Sequence, residues 1–221
     1  MIKKRFLSSI IILSLALFFY GCAPKIQQQG QKSLAPQSAQ SMRNEKYPDI
    51  VAEVGNYKIT GSQLRREIAV KRNAYVNVIK KPQENSFYEK VALGLLITNA
   101  LVNNEVKKKG FSVSTEEAKL YLQHQEKAMN ALPDIDPAKT VYDKMVRGNG
   151  YSSAIDYVNS PEVIKVTQII LGRQKLRNSI EQSVLQGQNG AYKAWEDYTD
   201  KLISEGNYKV LIPVNVKGIG S

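Results

Sequence analysis

The chain has 221 residues, of which 31 are Lys or Arg and 20 are Asp or Glu, and it contains one Cys, one His and one Trp. One Cys excludes an intramolecular disulfide framework, and it excludes zinc and iron–sulfur sites that need several thiolates from one chain. One His excludes histidine-rich metal centres. The length and the hydrophobic content of 43% are enough for one or two domains with a buried core.

The first 22 residues have the pattern of an export signal. Met1–Arg5 carries three positive side chains, and an apolar run of 15 residues follows from Phe6 to Tyr20. This run is shorter than the roughly 20 residues that span a bilayer as a helix. We therefore assign residues 1–21 as a cleaved signal peptide instead of a permanent transmembrane helix.

The signal ends in a motif that bears on anchoring. Phe19-Tyr20-Gly21-Cys22 resembles the lipobox of bacterial lipoproteins, in which a small residue precedes a Cys that is diacylglyceryl-modified and becomes the new N-terminus. An incidental Cys after an ordinary signal is the alternative, but the only thiol of the chain lies at this position. We predict Cys22 as the lipid (palmitate) attachment site of a lipoprotein at the cell membrane, facing the cell wall space or periplasm.

The net charge of the mature chain indicates which classes of partner it can attract. Cleavage before Cys22 would leave 200 residues with 28 basic and 20 acidic side chains, a net charge of +8. A basic protein in the cell envelope is attracted to anionic lipids and to acidic segments of client chains. The charges are spread along the chain, so most of them are interpreted as solvated surface, and we expect no nucleic-acid partner.

Residues 22–48 are predicted to form a flexible tether. They are rich in Gln, Ser, Ala and Lys and poor in large apolar residues, so the segment cannot offset the entropy of ordering. Random-coil scaling gives it an r.m.s. reach of about 25 to 30 Å. The remaining residues, 49–221, are predicted to form the folded domain.

A small antiparallel sheet is expected from the two ends of this domain. Residues 51–54 and 57–60 flank Gly55-Asn56, which is typical of a two-residue hairpin turn. The turn predicts three cross-strand pairs: Val54 with Tyr57, Ala52 with Ile59, and Glu53 with Lys58. A third strand is predicted from the alternation between Tyr208 and Val216, at an edge because Pro213 cannot donate to the ladder.

Helices are predicted throughout the region between these strands, so the fold class is mainly α. Their expected ranges are about 61–80, 86–109, 115–132, 137–147, 151–159, 161–185 and 191–204. Their starts are marked by three capping boxes, Thr60 with Gln63, Ser86 with Glu89 and Ser114 with Glu117, and by Asp136 before Pro137. The first helix is expected to turn Leu64, Ile68, Tyr75, Val78 and Ile79 toward a core, the second Val91, Leu95, Leu96, Leu101, Val102 and Val106, and the third Ala118, Leu122 and Met129.

The pattern favours no catalytic, cofactor or metal site. His124 lies within a predicted helix among glutamines, which is typical of an exposed surface side chain. Asp134, Asp136 and Asp156 have no EF-hand spacing, and Asp136 is better explained as a helix cap. Gly148-Asn149-Gly150 lacks the Lys-Ser/Thr of a phosphate loop.

Three aromatic residues near the C-terminus leave two interpretations open. Tyr192, Trp195 and Tyr198 follow one another at helical spacing of three residues. They are expected to pack into the core, and binding of a partner peptide is the alternative.

Two stretches resemble a known family. They are the hairpin Val51 to Thr60 followed by a helix, and the run Leu101 to Glu117 with its Lys-Lys-Gly-Phe-Ser-Val-Ser-Thr-Glu-Glu core. Both resemble the N-terminal chaperone domain of the SurA and PrsA foldases, although the hairpin turn here is Gly55-Asn56. The resemblance covers residues 50–122, is weaker over 160–216, and does not place residues 123–159.

The resemblance implies a chaperone-type helical domain that shelters unfolded or nascent exported polypeptides. Many such foldases carry an inserted parvulin-type prolyl isomerase domain, but only the short linker at 186–190 occupies that place here, and the parvulin site uses histidines. We therefore expect a non-catalytic, membrane-anchored chaperone. The alternative is a scaffold lipoprotein that docks one specific envelope protein, and the peptide-binding surface is not identified from sequence.

Overall fold

A computed structural model describes residues 47–183 and 188–216 of the chain. The predicted signal peptide, Cys22, almost all of the predicted tether and part of the predicted 186–190 linker lie outside the described residues. The described residues divide into two compact units. We call residues 112–174 the helical unit, and residues 47–111 together with 175–216 the sheet unit.

The fold is mainly helical with a small three-stranded sheet, as predicted. The elements follow in chain order: β1 (Ile50–Val54), β2 (Tyr57–Thr60), α1 (Gly61–Asn73), a π-helical turn (Ala74–Val78), α2 (Asn85–Lys108), α3 (Thr115–Asn130), α4 (Pro137–Gly148), α5 (Ala154–Asn159), α6 (Pro161–Gln182), α7 (Gln188–Glu205) and β3 (Tyr208–Val210). The residues of α6 up to Gln174 are assigned to the helical unit and those from Lys175 to the sheet unit.

The sheet joins both ends of the sheet unit in the order β2-β1-β3, with antiparallel pairing throughout. The three predicted hairpin pairs are confirmed, because the tight turn at Gly55 (φ 57°) fixes the register. The pairing shifts between Ile50 and Ala52, which leaves Val51 as an extra residue in β1. Val51, Ala52 and Val54 are all fully buried.

The third strand is shorter than predicted. It lies at the sheet edge as expected, but it ends at Val210 instead of continuing to Val216. The amide of Leu211 still donates to the Val51 carbonyl at 2.9 Å, and beyond it Pro213 has no amide to continue the ladder. The alternating apolar side chains nevertheless pack inward, and Val216 is buried.

α2 is the central helix of the sheet unit and is buried on more than one side. Its first half joins the core around the sheet, while Val102 and Val106 form a separate cluster with Leu176 of α6. The predicted face was therefore partly wrong, since Leu93 and Ile97 are fully buried whereas Val91 and Leu95 are half-buried. A single apolar stripe does not describe a helix that has packing neighbours on several sides.

The predicted N-terminal caps are found except at the start of α2. Thr60 and Gln63 form the predicted capping box, and the Ser114 hydroxyl accepts from the Glu117 amide at 3.0 Å. The predicted box of Ser86 with Glu89 is wrong, because α2 begins at Asn85 and its N-cap residue, Glu84, makes no side-chain cap. Glu89 instead accepts a hydrogen bond from the Tyr47 hydroxyl.

Two glycines end helices in the left-handed conformation that favours this residue. Gly110 (φ 73°) follows α2, where the amide of Phe111 donates to the Val106 carbonyl at 2.9 Å. Gly150 (φ 84°) follows α4 with the same pattern, the amide of Tyr151 donating to the carbonyl of Val146. Both are Schellman motifs, in which an apolar residue after the glycine packs with the cluster that holds the last helical turn.

The helical unit has its own core. Ala118, Leu122 and Met129 are buried on one face of α3, as predicted. They pack with side chains of α4, α5 and α6: Tyr142, Val146, Tyr157, Val158, Val163, Ile164 and Leu171. Residues 123–159, which the family resemblance did not place, form the end of α3, then α4 and α5, with Asp136 and Ser153 as N-caps. The helices predicted over about 115–132, 137–147 and 151–159 are thus found, the last one starting at Ala154.

Within the part of the chain that the structure describes, every helix is too short or too polar to cross a bilayer.

Candidate functional site

Exposed aliphatic side chains mark one continuous stretch of the sheet unit, the end of α1 and the turn after it. Val76, Val78 and Ile79 are exposed, Val78 to 75% and Ile79 to 48% of the full residue surface, and Val70 of α1 is exposed as well. We call residues 74–81 the 74–81 segment. The prediction that Val78 and Ile79 point into the core is therefore wrong.

The cause of the exposure is a change of helix type. The amide of Ile79 donates to the carbonyl of Ala74 at 2.9 Å, a bond that spans five residues instead of four. Ile79 follows Ile68 by 11 residues. In a regular α-helix this spacing is about three full turns, which would put Ile79 on the same face as the buried Ile68. The π turn adds one residue, which rotates the following side chains by about 100° and brings Ile79 to the surface.

The segment ends in an unfavourable backbone conformation. Lys80 has φ 60°, the one positive value at a residue other than glycine among the described residues. The next amide, that of Lys81, donates to the Tyr75 carbonyl at 2.8 Å and closes the widened turn. Left-handed conformations and π turns are both enriched at functional sites, because surrounding contacts must compensate for their cost.

Those contacts come from an aromatic cluster under the segment. Tyr75 meets Phe87 and Tyr88 of α2 edge to face, with ring centroids 5.1 and 6.0 Å apart, and the rings of Phe87 and Tyr88 are 5.8 Å apart. Tyr88 is fully buried, and Tyr75 and Phe87 pack against the same core. The cluster thus attaches the 74–81 segment to α2 while the aliphatic side chains of the segment face outward.

Polar contacts hold the connection from the segment to α2. The backbone amide of Gln83 donates to the Tyr88 hydroxyl at 2.7 Å. The Arg72 guanidinium lies 5.4 Å from the centre of the Tyr88 ring and donates to the Asn85 side-chain oxygen at 2.6 Å. The buried side chain of Tyr88 therefore contacts Tyr75 of the segment, Gln83 of the loop between the segment and α2, and Arg72 of α1.

The chemistry offered by this surface is apolar contact without a reacting group. Its exposed side chains are branched aliphatics, and burying one of them against a partner would contribute about 1 to 2 kcal/mol. Lys80 and Lys81, which follow directly, are exposed. Such a surface suits weak, side-chain-mediated binding of an apolar segment from another chain.

The carboxylates considered for a cation site have structural partners instead. Asp134 accepts from Lys139 Nζ at 2.6 Å, which lowers the pKa of Asp134 below its usual value. Asp156 accepts from the hydroxyls of Ser152 and Ser153, which lower its pKa, and Asp136 caps α4 by accepting from the Ala138 amide at 2.8 Å. In the ranges 47–183 and 188–216, no three His, Cys, Asp or Glu side chains come together as a metal site.

The other singled-out residues lie away from the segment in sequence. His124 is exposed on α3, as predicted. Trp195 and Tyr198 stack with centroids 5.9 Å apart and pack against the cluster of Val102, Val106 and Leu176, so the core interpretation is confirmed for both. Tyr192 is exposed.

The helical unit also exposes aliphatic side chains, but on separate elements. Leu120 lies on α3, Ile135 in the loop before α4, Val141 on α4 and Ile155 on α5. Ile135 is 92% exposed, more than any of the aliphatic residues of the 74–81 segment. Since none of these adjoins another in sequence, the 74–81 segment is the stronger candidate.

Comparison with known proteins places the chain in a family. A family model for SurA-like N-terminal domains matches residues 2–155, which is 154 of the 221 residues. The chain belongs to the SurA-like N-terminal domain family. No curated protein matches it, and no solved structure does.

Membership confirms the resemblance found in the sequence and extends it. The match includes residues 123–155, which the resemblance seen in the sequence did not cover, and it includes the 74–81 segment. Residues 156–221 lie beyond the match, so the weaker likeness over 160–216 stays a prediction. The family is of chaperone type, which agrees with a site made of exposed apolar side chains.

The sequence carries one signal for this site that the predicted helix over 61–80 does not explain. Val76, Val78 and Ile79 are interrupted by Asn77 and followed by Lys80, Lys81 and Pro82. Three β-branched residues around an Asn, immediately before a charged helix end, fit an α-helix poorly.

Proposed function

We propose that this chain is a membrane-anchored extracytoplasmic chaperone that binds unfolded or exported polypeptides without catalysis. The observation that carries the proposal is the exposed aliphatic surface of the 74–81 segment, attached to α2 by a buried aromatic cluster. Surface aliphatic side chains grouped over a few residues are typical of interaction sites. Membership in a chaperone-type family supports the same function.

Binding would follow from the geometry of the segment. An apolar client segment packs its side chains against Val76, Val78 and Ile79, and water leaves both surfaces. Each contact is worth little, so a client is released when its own folding offers deeper burial. No covalent step is required of the chaperone.

Anchoring through Cys22 is the second part of the proposal. It rests on the lipobox-like motif, and the predicted tether would let the domain move about 25 to 30 Å from the bilayer. A chaperone held at the membrane meets exported chains as they emerge. Prolyl isomerase activity is not part of the proposal, since the one His of the chain is exposed on α3.

Aggregation assays with two unrelated denatured proteins test the binding function. The full mature chain, from Cys22, is expected to suppress aggregation of both at near-stoichiometric ratios. The double substitution Val78→Ser and Ile79→Ser is expected to remove most of this effect, and the matched control Ile135→Ser, at a more exposed aliphatic residue, to retain it. Unchanged aggregation with the wild-type chain would overturn the proposal.

The same experiment separates the chaperone from a scaffold lipoprotein that docks one envelope protein. A scaffold would leave the aggregation of unrelated proteins unchanged. A prolyl-peptide turnover assay on the full mature chain is expected to give no rate above buffer, and robust turnover would show that an isomerase site exists.

A further inference from the structure

The positive charge of the sheet unit is concentrated next to the exposed aliphatic residues. Within the described residues this unit has 16 Lys or Arg and 11 Asp or Glu. Residues 61–81 alone hold six of the basic side chains and one acidic side chain, so the rest of the unit is balanced. The helical unit has seven basic and eight acidic residues.

One carboxylate, that of Glu67, cannot balance the six basic side chains of residues 61–81. Its Oε1 atom lies 3.5 Å from Nζ of Lys71, one turn further along α1. The basic residues are Arg65, Arg66, Lys71, Arg72, Lys80 and Lys81. Lys80 and Lys81 are exposed and directly follow Val78 and Ile79, so cation and aliphatic surface adjoin.

We propose that the 74–81 segment selects apolar client segments that are flanked by Asp or Glu; this inference rests on the proposed chaperone function. The aliphatic side chains bind the apolar part of the client, and Lys80 and Lys81 attract the acidic flank. Charges this close to a bound partner lie within the Debye length of about 8 Å at physiological salt, so they steer encounter and discriminate against basic flanks.

A polypeptide suits this surface better than an anionic membrane does. Segments that bind at the bilayer interface typically present Trp, Tyr, Phe or Leu to the lipid. Here the aromatic residues Tyr75, Phe87 and Tyr88 pack against one another and the core, and the exposed residues are Val and Ile. The acidic character of the partner follows from charge complementarity with residues 61–81.

Three labelled peptides with the same apolar centre and Glu, Gln or Lys flanks test the selectivity by fluorescence anisotropy. The full mature chain is expected to bind the Glu-flanked peptide about five to ten times more tightly than the Lys-flanked peptide at low salt. High salt should reduce this ratio toward one. The double substitution Lys80→Glu and Lys81→Glu should abolish or reverse the preference, whereas Lys127→Glu with Lys144→Glu, two exposed lysines of the helical unit, should preserve it.

Each other outcome has a definite meaning. Equal affinity for all three peptides overturns charge selection and leaves the chaperone function standing, whereas no binding of any peptide overturns both. Binding to vesicles that contain phosphatidylglycerol tests whether the segment binds an anionic membrane instead. The Cys22→Ser protein is used in this assay, so that an acyl chain on Cys22 cannot cause the binding. Vesicle binding that requires Lys80 and Lys81, without a preference for the Glu-flanked peptide, would overturn the proposal in favour of a lipid surface.

Discussion

The backbone amide of Ile79 donates to the carbonyl of Ala74 at 2.9 Å, five residues earlier in the chain. This one bond separates two outcomes for the same sequence. With α-helical spacing Ile79 would lie on the same helix face as the buried Ile68, and with π spacing it is exposed beside Val78. The candidate binding surface therefore depends on a local change of helix type, which the aromatic cluster below it stabilises.

Replacing Lys80 by Gly should stabilise the fold. Its φ of 60° is unfavourable for a residue with a Cβ, so glycine should raise the free energy of unfolding by about 1 kcal/mol. Urea denaturation measures the change. Lys81→Gly is the control, since Lys81 has no positive φ, and it should be neutral or destabilising. Equal stabilisation by both substitutions would contradict strain at Lys80.

Tyr88→Phe should destabilise the sheet unit. The Tyr88 hydroxyl accepts from the Gln83 amide at 2.7 Å in a buried position, and its removal leaves that amide without this partner. The expected loss is about 1 to 2 kcal/mol of unfolding free energy. Tyr57→Phe removes a hydroxyl of an exposed tyrosine, which accepts from Gln63 at 2.8 Å, and should cost less than half as much. A smaller loss at Tyr88 than at Tyr57 would show that the loop after the 74–81 segment is not held by this bond.

Tyr142→Phe should stabilise the helical unit and reduce its sensitivity to alkali. The buried Tyr142 hydroxyl makes no hydrogen bond within the described part of the chain. Burial, with smaller contributions from Glu126 and Asp143, raises the pKa of Tyr142 to about 12. In the unfolded chain the pKa of a tyrosine is about 10, so above pH 10 the phenol ionises more readily in the unfolded state than in the folded state. Ionisation of Tyr142 therefore costs no stability below pH 10, and the free energy of unfolding falls as the pH rises from 10 through 12.

Stability curves between pH 9 and pH 12 test that substitution. The wild-type chain should lose stability more steeply than Tyr142→Phe above pH 10. The Tyr142→Phe protein should still lose some stability at alkaline pH, because burial and a hydrogen bond to Glu105 raise the pKa of Tyr198 to about 12 as well. Tyr192→Phe, at an exposed tyrosine, is the control and should follow the wild type. Identical curves for Tyr142→Phe and the wild type would contradict a buried phenol at position 142.

Cys22→Ala should abolish lipid attachment. Cells that express the full chain and are grown with radiolabelled palmitate are expected to label the wild-type protein and leave the variant unlabelled. Labelling of the variant would show that the lipobox-like motif at 19–22 is not the acylation site. The absence of label in both proteins would contradict the anchoring part of the proposed function.

The sequence predicted best those features that are decided locally. The Gly55-Asn56 turn set the hairpin register, and Thr60 with Gln63 formed the capping box. The buried face of α3 was predicted correctly because α3 follows a simple amphipathic pattern. In each case residues close together in the chain determine the geometry.

Two side-chain arrangements that depend on distant residues were not predicted, although the pairing of the two ends of the domain in one sheet was. Glu89 was assigned to a cap at Ser86, but Tyr47, 42 residues earlier, holds its carboxylate. The π turn at 74–78 is stabilised by the packing of Tyr75 on Phe87 and Tyr88 of α2. The spacing of apolar residues in α1 carries no information about this packing. The candidate site was missed for this reason, because its exposed aliphatic residues lie where the α-helical pattern stops.

Photo-crosslinking from position 78 in intact cells tests the central claim most directly. A photoreactive amino acid in place of Val78 in the full chain is expected to capture many different exported polypeptides, and the same substitution at Ile135 few or none. One repeated species from position 78 would favour the scaffold function. Equal capture at both positions, or none at position 78, would contradict polypeptide binding by the 74–81 segment.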